Sequence, residues 1–292
     1  MIACLDNMST EYATMDTTPA DDDTAASWEA AEARAWADLY AAAPAEWAAD
    51  VGQGTRWFGD TLAIHWAATG RRYFSRAIGL GVTAPATEAG VDDILALWER
   101  LGISMCLIQS MPHCAPGAYT DWLRERGLEP FDQQDRIVRV EGAGTTDPVR
   151  SEREITVERV RPETAAAWSQ FLQRVYRLDT GPWLPQLVDR PGWHQYVARE
   201  RGEIVAARGM HVGRDGIAWL GMDGPVPGIM TQDFEPDAAI CARIVADGPR
   251  LGARTIISDI EQPSAGLDTP SYGYFGALGF SRPYTRTHWA RV

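Results

Sequence analysis

Residues 73–140 and 217–292 carry the same five segments in the same order, and no other feature narrows the possible folds as far as this internal repeat. The first series reads strand (YFSRAIGLGV), helix (GVDDILALWERLG), strand (ISMCLIQS), helix (AYTDWLRERG) and strand (DRIVRV). The second reads IAWLGM, AAICARIVADGPRLG, ARTIISDI, SYGYFGALG and THWARV. The helix-to-strand junctions LGISMCLI and LGARTIIS begin 150 residues apart. The endings Gly127-Leu128 and Gly279-Phe280, each followed by twelve residues closing on Arg-Val, lie 152 apart. Five elements nearly in phase imply a duplicated fold. Helices alternating with short apolar strands place that fold in the α/β class.

The second copy has a preface: strand ITVERV, helices expected near 163–178 and 184–199, and strand EIVAARGMHV. Ahead of the first copy, Trp28, Ala31, Ala35, Trp36 and Leu39 recur at helical spacing and predict an amphipathic packing helix from Thr24 to Tyr40, ended near Pro44. The expected organisation is an acidic, mobile tail over 1–23, a helical extension over 24–54, a first domain over 55–140, a Gly/Thr/Pro-rich linker over 141–152, and a second domain over 153–292 carrying the site.

Composition excludes several classes. A net charge of −13 opposes a nucleic-acid or anionic-membrane partner, since both need a basic patch. All 27 basic residues are arginine, which codon bias explains more simply than chemistry. Cys4, Cys106, Cys114 and Cys241 have no metal-ligand spacing, and neither do the five histidines, so no metal site is expected. The cysteines read as reduced, mostly buried thiols. No apolar run approaches a membrane span, and the first residues lack a signal-peptide pattern, so a cytoplasmic location is expected.

The order strand, two helices, strands, then helix–strand–helix–strand resembles the GCN5-related N-acetyltransferase (GNAT) family, in its tandem two-domain bacterial form. TPSYGYFGALGF (Thr269–Phe280) is similar to the family's Asn-Pro-Ser-Tyr helix ending in Gly-Phe, and RRYFSRAIGLGV with ATEAGVDDI resembles the matching part of the first copy. The likeness covers about residues 55–292. It implies a mixed central sheet flanked by helices in each copy, and transfer of an acyl group from acetyl-coenzyme A to a small-molecule amine in the second copy. It places the thioester carbonyl against backbone amides of the strand IAWLGM, at Leu220, Gly221 and Met222. It seats the pyrophosphate near Thr231, Gln232 and Asp233, on a Gly-rich loop opening the next helix.

Here the sequence departs from the family pattern. Gln232 and Phe234 stand where glycines would be, Pro236 sits in the first helical turn, and Asp233, Glu235 and Asp237 put carboxylates where an anion would lie. Those acids fit two roles: capping amides and complementing the helix dipole, or holding an amine or cation. The family's usual proton donor falls on Phe275, which has no proton to give; Tyr272 matches the tandem proteins' tyrosine, and Tyr274 is adjacent. Asp259 and Glu261 end the strand TIISDIE and are the candidate bases, Glu261 first. Trp183, Trp193, His194 and Tyr196 are candidates for an aromatic substrate pocket, or for core packing of a Pro-rich connection. The first copy is expected to contribute no catalytic residue, so that alanine at His113 or Asp132 would leave activity nearly unchanged. The competing functions are an enzyme independent of coenzyme A in the same cleft, and a non-catalytic binding protein.

Overall fold

In the computed structural model, residues 15–112, 114, 116–145, 153–262 and 270–291 are described. Helix α1 (Asp22–Ala41) begins where Asp21 accepts a hydrogen bond from the Thr24 amide at 2.8 Å, with Asp22 and Asp23 complementing the dipole of the first turn. Part of the expected tail is therefore the helix's own cap. A short helix α2 (Ala45–Asp50) follows Pro44. Then come a hairpin of β1 (Gln53–Phe58) and β2 (Thr61–Trp66), which the periodicity did not suggest, and β3 (Arg76–Ile78), α3 (Glu88–Arg100), β4 (Leu107–Ser110), α4 (Tyr119–Glu125) and β5 (Leu128–Val140). The second series is β6 (Ile155–Arg159), α5 (Ala165–Tyr176), β7 (Trp193–Glu200), β8 (Glu203–Val212), β9 (Ile217–Gly224), α6 (Glu235–Asp247), β10 (Thr255–Glu261), α7 (Pro270–Ala277) and β11 (Ser281–Arg291). The repeat read from the sequence is present element for element.

The helix expected at 184–199 is absent. A single 3-10 turn, Leu184–Leu187, precedes strand β7. Pro191-Gly192 breaks the run, and Gly192, at φ +84°, leaves no room for a side chain because a Cβ there would lie 2.9 Å from the Val212 carbonyl. The alternation that marks a strand is hidden because both faces of β7 are covered: Trp193, Tyr196, Val197 and Ala198 are all buried.

All eleven strands form one sheet in the order β1-β2-β3-β4-β11-β5-β10-β9-β8-β7-β6. Each copy's last strand has crossed to the other copy. β5 pairs with β10 from Val140↔Thr255 to Gln134↔Glu261, while β11 pairs with β4 and with β5. The copies are thus interleaved through their closing strands. One face of the sheet packs α1 and α5 through Trp28, Trp36, Leu39, Trp168 and Trp219. On the other face α3 and α4 cover the first copy, and α6 and α7 cover the second.

Under α1 lies a buried charge cluster. Glu29 and Glu32, 2% and 0% exposed, meet Arg136 of β5 and Arg286 of β11, both fully buried. Arg286 Nη1 lies 2.5 Å from Glu32 and 3.3 Å from Glu29, Arg136 Nη2 lies 2.9 Å from Glu29 and also bonds Glu32, and Arg76 reaches Glu32 at 3.1 Å. Asp259 completes the set at 3.1 Å from Arg136 and 2.5 Å from Arg286. Three guanidiniums face three carboxylates. Burial opposes ionisation of Glu29 and Glu32, but the guanidiniums outweigh it and hold both carboxyls below their ordinary range.

Glu32→Gln leaves this cluster one carboxylate short, and the expected loss is about 3–5 kcal/mol in urea unfolding at pH 7, the cost of uncompensated buried charge. Because the folded Glu32 carboxyl titrates below the unfolded value of 4.5, its contribution is whole above that pH and fades under it. The gap between wild type and variant should therefore narrow as pH falls below 4.5.

Candidate active site

The site opens where two parallel strands part. β9 and β10 pair from Ile217↔Thr255 to Trp219↔Ile257, and Ser258 Oγ donates to the Leu220 carbonyl at 3.0 Å as the last tie. Beyond it, Leu220–Asp223 and Ser258–Glu261 border a cavity of about 340 Å³. Gly221 permits the bend, since a Cβ there would fall 2.3 Å from the Trp219 ring, and the next residue, Met222, takes a left-handed φ of 55°. The walls are apolar and aromatic: Trp36 and Leu39 from α1, Phe74, Leu172 and Tyr176, Trp183 and Trp219. The Trp183 indole N–H donates to the Leu39 carbonyl at 2.7 Å, which fixes the ring as a wall.

Arg71, Arg76, Asp223, Asp259 and Glu261 are the charged residues that line this cavity. Glu261 ends β10 half-buried; burial first, and the nearby Asp132 charge second, push its carboxyl above the ordinary value. Asp259 is pushed up by burial against the pull of Arg136 and Arg286, and with both guanidiniums in contact it serves the ion cluster. Tyr73, from the segment leading into β3, lines the cavity and donates to Asp132 Oδ2, whose other oxygen lies 2.5 Å from His288 Nδ1. Burial opposes the Asp132 charge, but the bonds from His288 and Tyr73 prevail and hold that carboxyl low. Tyr73, partly buried and bonded to a carboxylate, is pushed up.

Of the residues singled out in the sequence, Leu220, Gly221, Met222, Asp259, Glu261 and Trp183 meet in this cavity. The remaining aromatic candidates do not join them. Successive residues of β7 point to opposite faces. Trp193 is buried under α1 with its indole on Asp38 at 2.7 Å, while Tyr196 is buried on the other face with its hydroxyl 3.1 Å from Asp247. His194 borders a separate shallow groove, its pKa lowered to about 4 by burial and by Arg159. Tyr272 and Tyr274 are likewise turned away. Tyr272 donates to Asp135 at 2.6 Å and Tyr274 to Asp237 at 2.5 Å, both within the α6–α7 layer, and Phe275 is core. His113 lies outside the described residues.

The acidic loop takes arginines rather than amides. Phe234 stands at the N-cap of α6 without a side-chain cap bond. Glu235 and Asp237 do stand in the first turn of α6, where acids complement the dipole, but two of the side chains bond elsewhere than to amides: Asp233 pairs with Arg153 at 2.7 Å, and Asp237, 3% exposed, accepts from Arg208 at 2.8 and 2.9 Å as well as from Tyr274. Thr231 Oγ1 accepts from the Asp233 amide at 3.0 Å, Gln232 is exposed, and Ile229 and Met230 form the cavity rim instead.

Sequence reasoning missed Trp36, Tyr73, Arg76 and Trp219, because three of them belong to segments read as packing or as the inactive copy. Glu29 and Glu32 inside the apolar stripe of α1 were the available signal that this helix covers charge. The equivalent gap in the first copy is bridged by Cys114, whose thiol donates to the Leu80 carbonyl at 3.2 Å and accepts from the Met111 amide at 3.4 Å. Among the described residues, no group of three or more His, Cys, Asp or Glu is placed to hold a metal ion, and no helix is long and apolar enough to cross a membrane.

No protein-family model matches the chain, and neither does any curated protein. Solved structures do. A GCN5-related N-acetyltransferase from Kribbella flavida is 16% identical, with a TM-score of 0.56 over 81% of this chain and 88% of that one. Another from Sphaerobacter thermophilus is 12% identical, with a TM-score of 0.49 over 78% and 79%. A tandem GNAT protein from the clavulanic acid biosynthesis pathway is 12% identical, with a TM-score of 0.45 over 96% and 97%. On the first of these, the chain has the fold of the GCN5-related N-acetyltransferases.

That fold implies a coenzyme A site at the start of α6, and the residues there do not fit one. Pro236 supplies no amide, Arg208 is taken by Asp237, and Arg153 is shared between Asp233 and Glu200. A pyrophosphate would meet a locally acidic surface without a glycine cradle. Coenzyme A should therefore bind with a dissociation constant above about 100 μM, near −5.5 kcal/mol, in calorimetric titration. Micromolar binding would show that the backbone alone suffices.

Proposed function

We propose that the chain is an acyltransferase acting on a small-molecule amine, with transfer in the gap between β9 and β10. The observation carrying this reading is the Glu261 carboxyl, raised in pKa and placed at the end of a largely apolar cavity between parted strands. A base in this position, with its pKa moved toward neutrality, suits removal of a proton from an ammonium group. The free amine attacks the carbonyl of an acyl thioester; a C–N bond forms, the C–S bond breaks, and the departing thiolate takes the second proton from nitrogen. Backbone amides at Leu220–Met222, bordering the gap, are the donors for the oxygen that gains charge. The cavity volume suits a small molecule.

The Arg208–Asp237 pair favours a second reading, in which the same cleft serves a ligand without a nucleotide, as a coenzyme-independent enzyme or a binding protein. Turnover separates the two. Glu261→Gln keeps the shape and removes the base, so kcat with an amine and an acyl thioester should fall by roughly 10²–10⁴. The wild-type rate should rise with pH as the carboxyl ionises and level off above its raised pKa, and the variant should lose that limb. Unchanged turnover in Glu261→Gln would overturn the assignment.

A further inference from the structure

Both copies supply polar groups to one part of the cavity. Its aromatic walls carry little charge, while Glu261 from the second copy and Tyr73 from the first both line it. Behind Tyr73 stands Asp132, bonded to the phenol and, at 2.5 Å, to His288. An ionised carboxylate only accepts, so the Tyr73 proton is directed at Asp132 and the phenol oxygen is left with lone pairs. The neighbouring charges are otherwise spent. Arg76 is held by Glu32, Asp259 lies between Arg136 and Arg286, and burial moves the His288 pKa below its ordinary value. The other charged residues on the cavity wall are Asp223, 3.3 Å from Arg208, and Arg71, whose guanidinium lies 3.5 Å from the Arg177 carbonyl. Among the described residues Glu261 has no ion-pair partner within 4 Å, and Asp132 is held by His288 and Tyr73. A desolvated negative end on an aromatic cavity selects a cation with an apolar body.

We propose that Tyr73 is a ligand-binding residue contributed by the first copy, whose oxygen, turned into an acceptor by Asp132, holds an ammonium group together with Glu261, while the apolar body of the amine lies among Trp36, Trp183 and Trp219. This deepens the acyltransferase reading by naming its acceptor as an amine with an aromatic or bulky apolar body. It also replaces the expectation that the first copy stays out of the site.

The test is calorimetric binding of 2-phenylethylamine and its neutral counterpart 2-phenylethanol to the full chain, with no acyl donor present. The amine should bind at least about tenfold more tightly than the alcohol, and Tyr73→Phe should reduce that preference to less than about threefold. Asp132→Asn preserves shape and removes the charge behind the phenol, so it should weaken the preference in the same way and serves if Tyr73→Phe does not fold. Equal binding of the two probes, no binding of either, or a preference that survives both substitutions would overturn the proposal. Failure of the acyltransferase reading would instead appear as a preference for the amine with no turnover, so the two failures are distinguishable.

Discussion

The six-membered ion cluster beneath α1 is the constraint on which the rest of the molecule depends. Its charges come from the extension (Glu29, Glu32), the first copy (Arg76, Arg136) and the second copy (Asp259, Arg286). Removing any one element leaves the others with buried, uncompensated charge, which is far more costly than losing a surface pair. Such a cluster also selects one docking of α1. Slid along the sheet, the helix would bury its two carboxylates against apolar strands. The exchange of β5 and β11 is held in place by the same contacts, since Arg136 and Arg286 sit on those two strands.

This arrangement accounts for the cavity beside α1. α1 brings Trp36 and Leu39 over the parted ends of β9 and β10, and its glutamates hold the arginines that flank Asp259. The first copy closes its own equivalent gap with Cys114 and lends Tyr73 to its neighbour's. Residues of both series line this one cleft.

The α6 loop shows the same redistribution of charge. Arg208 and Arg153 are basic groups near a helix start, and both are occupied by carboxylates of the chain itself. With Asp237 buried, its pairing with Arg208 is structural: breaking it would strand a charge in the second copy's core. The groove entrance is instead lined by exposed Ile229 and Met230, which suits an apolar ligand better than a diphosphate.

The sequence by itself determined the duplicated α/β order, nearly every element of the repeat, the departure at the α6 loop, and Glu261 and Asp259 at the open end of a strand. Those properties are local: helical spacing, strand punctuation and residue types within a few positions of each other. It did not separate β7 from a helix, because a strand covered on both faces loses its alternation. It grouped Trp183 with Trp193, His194 and Tyr196, which the strand's pleat sends to different faces. The strand exchange, the ion cluster and the meeting of Tyr73 and Glu261 on one cavity wall were decided only in the tertiary structure. Each brings together elements far apart in the chain, and no short-range pattern records which distant charge will meet which, or which of two equivalent strand edges a closing strand will choose.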